Sequence, residues 1–148
     1  LHEQPDAVHA MLAQRGIPRE MVTVRSVTPE EVPRWLSAGD IALSFIHAGS
    51  SKYASSPTKM AEYLACGLPV VASDLPVLRE GVGVAVQYID PSSVEDMASA
   101  LVAITSDETL RTKLRVAGPR QASHFTWKAA GEATLGVYRD VAAARSGT

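Results

Sequence analysis

The chain has 148 residues, of which 46% are apolar and 20% charged, and 14 basic against 16 acidic residues give a formal net charge of −2. These proportions predict one globular domain, residues 1–148, with enough core to fold without a disulfide or a structural metal. The single cysteine, Cys66, excludes an internal disulfide, and no two histidines have metal-ligand spacing, so no metal site is expected. The near-neutral charge disfavours nucleic-acid binding.

No window approaches the length of an apolar membrane span, and the first residues do not form a signal peptide. We therefore expect a cytoplasmic protein, at most peripheral to the inner face of the membrane. The polar opening without an initiator Met suggests a fragment of a longer chain.

The first part of the chain predicts helices that alternate with short strands. These elements are a helix over residues 6–15, a strand at Val22–Val24, a helix that starts at the capping box Thr28–Glu31 and ends at Gly39, and a strand at Ile41–Ile46.

The second part continues the alternation after a polar loop over residues 47–56. The predicted elements are a helix over 57–66 that Gly67 ends, a strand at 70–72, a turn at 74–76, a strand at 84–89 and a helix after Ser93. Two more helices follow, over 107–117 and 127–144, separated by Gly118-Pro119 and by Phe125-Thr126-Trp127. This order predicts an α/β fold with a Rossmann-like, doubly wound parallel sheet and flanking helices. Ligands should then bind at the carboxyl ends of the strands, in the loops after Val24, Ile46 and Ala72.

The start of the helix over residues 57–66 has an unusual charge. Its first turn holds Lys59, although the positive end of a helix normally attracts carboxylates. Free backbone N–H groups, the Lys59 ammonium and the hydroxyls of Ser55, Ser56 and Thr58 together would suit a phosphate group. A plain Ser-Pro helix cap with a solvated lysine is the alternative interpretation.

Glu62 lies one turn further along the same helix. Its carboxylate could accept hydrogen bonds from two vicinal hydroxyls, as acidic residues do with ribose in dinucleotide-binding sheets. The alternative is a solvated helix residue. Cys66 is expected to be a small buried apolar residue, because no neighbour would lower the pKa of its thiol.

Several of these segments resemble one enzyme family. Asp40, the run from Pro57 to Ala72 with its core Glu-Tyr-Leu-Ala-Cys-Gly-Leu-Pro-Val-Val, Glu80, Asp90 and Phe125-Thr126-Trp127 resemble the C-terminal domain of the GT-B retaining glycosyltransferases of family 4, also called group 1. The resemblance runs from about residue 20 to about residue 140. It implies the C-terminal half of a GT-B fold, which binds a nucleoside diphosphate sugar without a metal cofactor.

The resemblance also implies roles for particular residues. Glu62 matches the family's ribose-binding glutamate, and the diphosphate position maps onto residues 56–59. Two features depart from the family. Ala54 stands where the family's first glutamate contacts the donor sugar, and the family's first strand, Gly-containing turn and basic pair are not found upstream, so truncation at the N-terminus is expected.

Further donor-site candidates rest on position alone. Glu80 is expected in a turn after the strand at 70–72, Val27 follows an earlier strand where the family's backbone touches the base, and His47 opens the polar loop. Each has a simpler interpretation as a solvated or structural residue.

The predicted reaction is hexosyl transfer from the donor to a glycan, lipid-linked or small-molecule acceptor with retention of configuration. Most catalytic help would be electrostatic, so no residue is assigned as a general base. The acceptor would bind the absent N-terminal domain, and we expect the isolated 148 residues to be inactive. A GT-B-like sugar-nucleotide epimerase and a non-catalytic Rossmann-like module that binds a nucleotide or a partner remain alternatives.

Overall fold

The computed structural model describes residues 5–47 and 58–146. The chain divides into two compact units, Leu1–Val32 and Pro33–Thr148, and each is described by itself.

The first unit contains the helix α1, Pro5–Ala13, and a short 3-10 helix, Arg19–Met21. The strand predicted at Val22–Val24 is not formed, because among the described residues this segment pairs with no strand. Half of the predicted capping box is formed, since the Thr28 backbone N–H donates to Glu31 Oε2 at 2.9 Å. The helix itself begins only after this turn, as α2, Val32–Ser37.

The second unit is built on a three-stranded parallel sheet with the order β1-β2-β3. Its strands are β1, Ala42–Ser44, β2, Val70–Ser73, and β3, Gln87–Ile89. The helices that follow β1 are α3, Thr58–Ala65, α4, Pro76–Val82, α5, Val94–Ser106, α6, Glu108–Ala122, and α7, Trp127–Ser146. The Rossmann-like α/β fold expected from the sequence is confirmed.

The core lies on both faces of the sheet, because successive residues of β2 point to opposite sides. Val70 and Ala72 pack in one cluster with Met60 and Leu64 of α3. Val71 packs in a second cluster, whose other members are Ile89, Ala100, Ile104 and Leu114. All four residues of β2 are buried, as expected for a central strand covered on both sides.

The end of α3 follows the sequence closely. Gly67 has a φ of +68°, which an L side chain rarely adopts. Its N–H donates to the Leu64 carbonyl at 3.0 Å, and the Leu68 N–H donates to the Tyr63 carbonyl at 3.1 Å. These two bonds form a Schellman motif, so the predicted helix end is confirmed.

The predicted break at Gly118 and Pro119 is wrong, because α6 continues through both residues. Gly118 is buried against α3, where a Cβ would lie 3.1 Å from the Leu64 carbonyl oxygen. Close packing of α6 on α3 therefore keeps α6 helical where Gly118 and Pro119 alone would be expected to end it.

Two further expectations around the sheet need correction. Residues 74–76 turn the chain only briefly, since Pro76 already begins α4, and Glu80 accordingly lies in a helix instead of a turn. The third strand is shorter than the predicted 84–89. Within the described ranges, no helix is both long and apolar enough to cross a membrane.

Candidate functional site

The carboxyl ends of the three parallel strands lie at one edge of the sheet, where α/β proteins bind ligands. Ser44, Ser73 and Ile89 end the strands, and the connections that leave them lead to α3, α4 and α5. The candidate site is therefore formed by the residues that follow each strand.

The helix α3 presents one apolar and one polar face. Met60 and Leu64 are almost completely buried against the sheet, and this anchors the helix. Thr58 and Glu62, four residues apart and hence on the same face, are exposed, and Lys59 is half-buried. No acidic residue lies in the first turn. The positive end of the helix dipole and a cation are thus combined at this point, with a carboxylate one turn away.

Tyr63, next to Glu62, is half-buried and packs against the core. Burial raises the pKa of its hydroxyl, and the negative charge of Glu62 raises that pKa further. Tyr63 is therefore a neutral structural residue of α3, as its apolar surroundings require.

The other predicted site residues have different positions. Ser55, Ser56, Pro57 and Ala54 lie outside the described residues. His47 is exposed three residues after the end of β1, and Glu80 is exposed on α4. Val27 is half-buried in the first unit. Of the predicted residues, the structure places Thr58, Lys59 and Glu62 together on α3.

A cleft of about 380 Å³ lies beyond the ends of β2 and β3, beside the loop after Ala72 where ligands are expected to bind, but its Asp74–Arg79 pair is not among the predicted site residues. Arg79 on α4 makes a bidentate pair with Asp74, with Nε–Oδ1 and Nη2–Oδ2 distances of 2.5 and 2.6 Å. This hydrogen-bonded pair lowers the pKa of the Asp74 carboxyl and raises that of the Arg79 guanidinium. The guanidinium also lies over the Tyr88 ring, 4.4 Å from its centroid.

The remaining charges of this cleft are also bonded within the chain. The Ser92 backbone N–H and hydroxyl both donate to Asp90 Oδ1, at 2.8 and 2.6 Å, and they lower the pKa of that carboxyl. The Asp90 N–H donates to Asp96 Oδ2 at 2.6 Å. The Tyr88 hydroxyl donates to the Gly83 carbonyl at 2.8 Å. These groups brace the loops after β2 and β3.

Two buried serines lie at the same edge. The Ser73 hydroxyl oxygen accepts a hydrogen bond from the Ile46 N–H at 2.8 Å, and Ser44 Oγ has no partner among the described residues. Across the described ranges, no cluster of three or more His, Cys, Asp or Glu could hold a metal ion.

Comparison with known proteins identifies the family. Residues 2–107 match the family Glycosyl transferases group 1, which is well over half of the chain. The chain belongs to this family. The matched region contains α3 and the cleft, whereas the Phe125-Thr126-Trp127 segment lies beyond it.

Curated relatives support the same assignment. The chain is 28% identical over 134 residues to O-antigen chain mannosyltransferase B of Escherichia coli, which covers 90% of this chain and 34% of the relative. It is 31% identical over 141 residues to a D-inositol 3-phosphate glycosyltransferase of Kribbella flavida, covering 93% and 32% of the two chains. The chain thus spans about a third of the length of these relatives.

A solved structure supports the fold. Sucrose-phosphate synthase from Thermosynechococcus elongatus superposes with a TM-score of 0.75 at 22% identity, over 94% of this chain and 34% of that one. The described residues therefore form a GT-B type, Rossmann-like fold.

Proposed function

We propose that this chain is the nucleotide-sugar-binding part of an enzyme that transfers a hexose from a nucleoside diphosphate sugar to an acceptor with retention of configuration. The observation that carries the proposal is the position of Thr58, Lys59 and Glu62 on one anchored helix at the carboxyl edge of the sheet, in a member of the group 1 glycosyl transferases. Two of its relatives are named for mannosyl and glycosyl transfer.

The diphosphate is proposed to lie at the start of α3. Backbone N–H groups of a first turn have no partner within their own helix, and they point along the axis toward an anion. The Thr58 hydroxyl and the Lys59 ammonium add a donor and a charge, and Ser56 and Ser55 precede them in sequence. These groups would stabilise the negative charge that grows on the leaving diphosphate, without a metal ion.

Glu62 is proposed to hold the ribose. It is exposed on the same face as Thr58, one turn from the proposed diphosphate position, so its carboxylate could accept hydrogen bonds from both ribose hydroxyls. Its role would be to orient the donor, because transfer requires the anomeric carbon to face the acceptor. His47, Glu80 and Val27 remain candidates for further donor contacts.

The acceptor, a glycan, a lipid-linked or a small molecule, is proposed to bind a second domain outside this chain. This chain would stabilise the charge of the leaving diphosphate and orient the donor. A cytoplasmic setting, at most peripheral to the inner face of the membrane, is proposed for the whole enzyme.

The test uses the full-length protein and a panel of uridine and guanosine diphosphate hexoses. Wild type should hydrolyse one donor or transfer its hexose, with and without EDTA. Glu62→Ala should lower kcat/KM by roughly 10- to 150-fold, the equivalent of about 1.5–3 kcal/mol for hydrogen bonds to a charged group. Glu132→Ala, on the exposed helix α7, is the matched control and should behave as wild type. Equal rates for the two variants would refute the proposed role of Glu62.

A further inference from the structure

The helix α3, which carries the candidate site, meets α6 at very short range. Gly118 of α6 is buried at this junction. A Cβ at Gly118 would lie 3.1 Å from the Leu64 carbonyl oxygen, 3.4 Å from Leu64 Cδ2 and 3.5 Å from Leu64 Cα. The oxygen distance is tighter than nine in ten real Cβ contacts. The two helix backbones therefore meet where the absence of a side chain leaves room.

The Leu64 carbonyl is fixed within its own helix. It accepts the hydrogen bond from the Gly67 N–H at 3.0 Å that ends α3, and the Leu64 side chain is fully buried. A flexible side chain could rotate away from a new Cβ, whereas a bonded backbone carbonyl moves only with its helix. A Cβ at position 118 would therefore shift the end of α3 by a few tenths of an ångström.

A second glycine forms the α3 side of the same junction. A Cβ at Gly67 would lie 3.7 Å from the Arg115 carbonyl oxygen and 3.8 Å from Pro119 Cγ. Arg115, Gly118 and Pro119 recur at helical spacing, so one face of α6 receives the end of α3. The Gly118-Pro119 pair, which locally would interrupt a helix, thus has a place in the contact between the two helices.

The junction is connected to the candidate site through α3 alone. This helix, Thr58–Ala65, has only eight residues, and Leu64 lies two residues after Glu62 and five after Lys59. Backbone hydrogen bonds tie each residue of a helix to the one four positions further on, so a short helix moves as a unit. A shift at Leu64 is therefore also a shift of Lys59 and Glu62.

We propose that Gly118 is a positioning residue for the donor site: it admits the end of α3 against α6 and thereby sets where α3 presents Lys59 and Glu62. The inference rests on the proposed function, because the position of α3 matters to a ligand only where a nucleotide binds it. Gly118 acts through Leu64 and not on the donor. Hydrogen bonds to charged groups are short, about 2.7–2.9 Å, so displacement by a few tenths of an ångström weakens them.

The experiment measures calorimetric titration with UDP and GDP, and urea unfolding, for variants of the full-length protein. In Gly118→Ala, the Kd of the nucleotide that wild type binds should rise about 3- to 10-fold, the order of one ordinary hydrogen bond. Gly131→Ala makes the same change on α7, where a Cβ meets nothing within 4 Å, and should bind as wild type does. Ile104→Val controls for lost stability, because it removes a buried methyl on the face of the sheet away from α3. It should also leave the Kd unchanged.

Leu64→Val disturbs the junction from the other side, because it shortens the side chain that packs over Gly118, and it should raise the Kd likewise if Gly118→Ala does not fold. Lower stability of Gly118→Ala with an unchanged Kd would overturn the positioning role while the proposed function stands. An equal rise of the Kd in Ile104→Val would also overturn it, since lost stability alone would then explain the effect. Failure of wild type to bind either nucleotide would overturn the proposed function and the inference with it.

Discussion

The helices α3 and α7 have similar starts but different surroundings. Each has a lysine as its second residue, Lys59 or Lys128, no acidic residue in the first turn, and a glutamate further along, Glu62 or Glu132. On α3 the apolar face is buried against the sheet. On α7, every residue from Trp127 to Arg145 is exposed except Gly136, which is half-buried, and Trp127 itself is 94% exposed.

The comparison shows that a lysine in the first turn does not make a binding site. The start of α7 is satisfied locally, because the Ala129 N–H donates to Thr126 Oγ1 at 3.1 Å and Lys128 lies 4.0 Å from Glu132. What distinguishes α3 is its anchor and its place at the carboxyl edge of a parallel sheet. The predictions below test whether these differences matter.

The largest expected effect on the free energy of unfolding comes from substituting Gly118, with Gly131 as the matched control. Gly118→Ala should lower the free energy of unfolding by about 1–2 kcal/mol, since its Cβ would press on the Leu64 carbonyl at 3.1 Å. Gly131→Ala on α7, where a Cβ meets nothing within 4 Å, should raise it by about 0.5–1 kcal/mol. Urea unfolding of the full-length protein measures both. A stabilising Gly118→Ala would show that α6 and α3 are not tightly packed.

A smaller effect is expected at acid pH from the Asp74–Arg79 pair. The pKa of Asp74 is lowered in the folded state, so its contribution to stability is complete above the ordinary carboxyl pKa of about 4 and is lost as the pH falls through the lower folded value. The stability difference between wild type and Asp74→Asn should therefore shrink below about pH 4.

This effect is small, because the side chains of Arg79 and Asp74 are 58% and 39% exposed and solvent screens the pair. The control is Glu132→Gln on α7, which should follow the wild-type acid profile, because its lysine partner is 4.0 Å away and both side chains are largely exposed. Thermal unfolding between pH 2 and pH 7 checks both variants. A constant difference between wild type and Asp74→Asn over this range would contradict the prediction.

Local signals in the sequence predicted local structure well. The bond from the Thr28 N–H to Glu31, which is half of the predicted capping box, and the helix end at Gly67 depend on hydrogen bonds within a few residues, and both are present. The prediction failed where distant contacts decide the outcome. Gly118 and Pro119 continue a helix because α6 packs on α3, and the segment at Val22–Val24 is not a strand because it pairs with no other strand among the described residues.

The candidate site shows the same division. Thr58, Lys59 and Glu62 were predicted from the lysine at the start of the helix and from the resemblance to a family, and the structure places all three on α3. The Asp74–Arg79–Tyr88 arrangement and the Ser73–Ile46 bond were missed, because they join the ends of different elements and depend on how the strands are paired. These residues become neighbours only when the strands pair in the observed register.

The central claim, that α3 and not α7 binds the donor, is tested most directly by calorimetric titration of the full-length protein with UDP and GDP. Wild type should bind one of them, and Lys59→Ala and Glu62→Ala should each weaken binding by roughly 10- to 150-fold, about 1.5–3 kcal/mol. Lys128→Ala and Glu132→Ala should bind as wild type does. Equal affinities for the α3 and α7 variants, or binding of neither nucleotide by wild type, would contradict the claim.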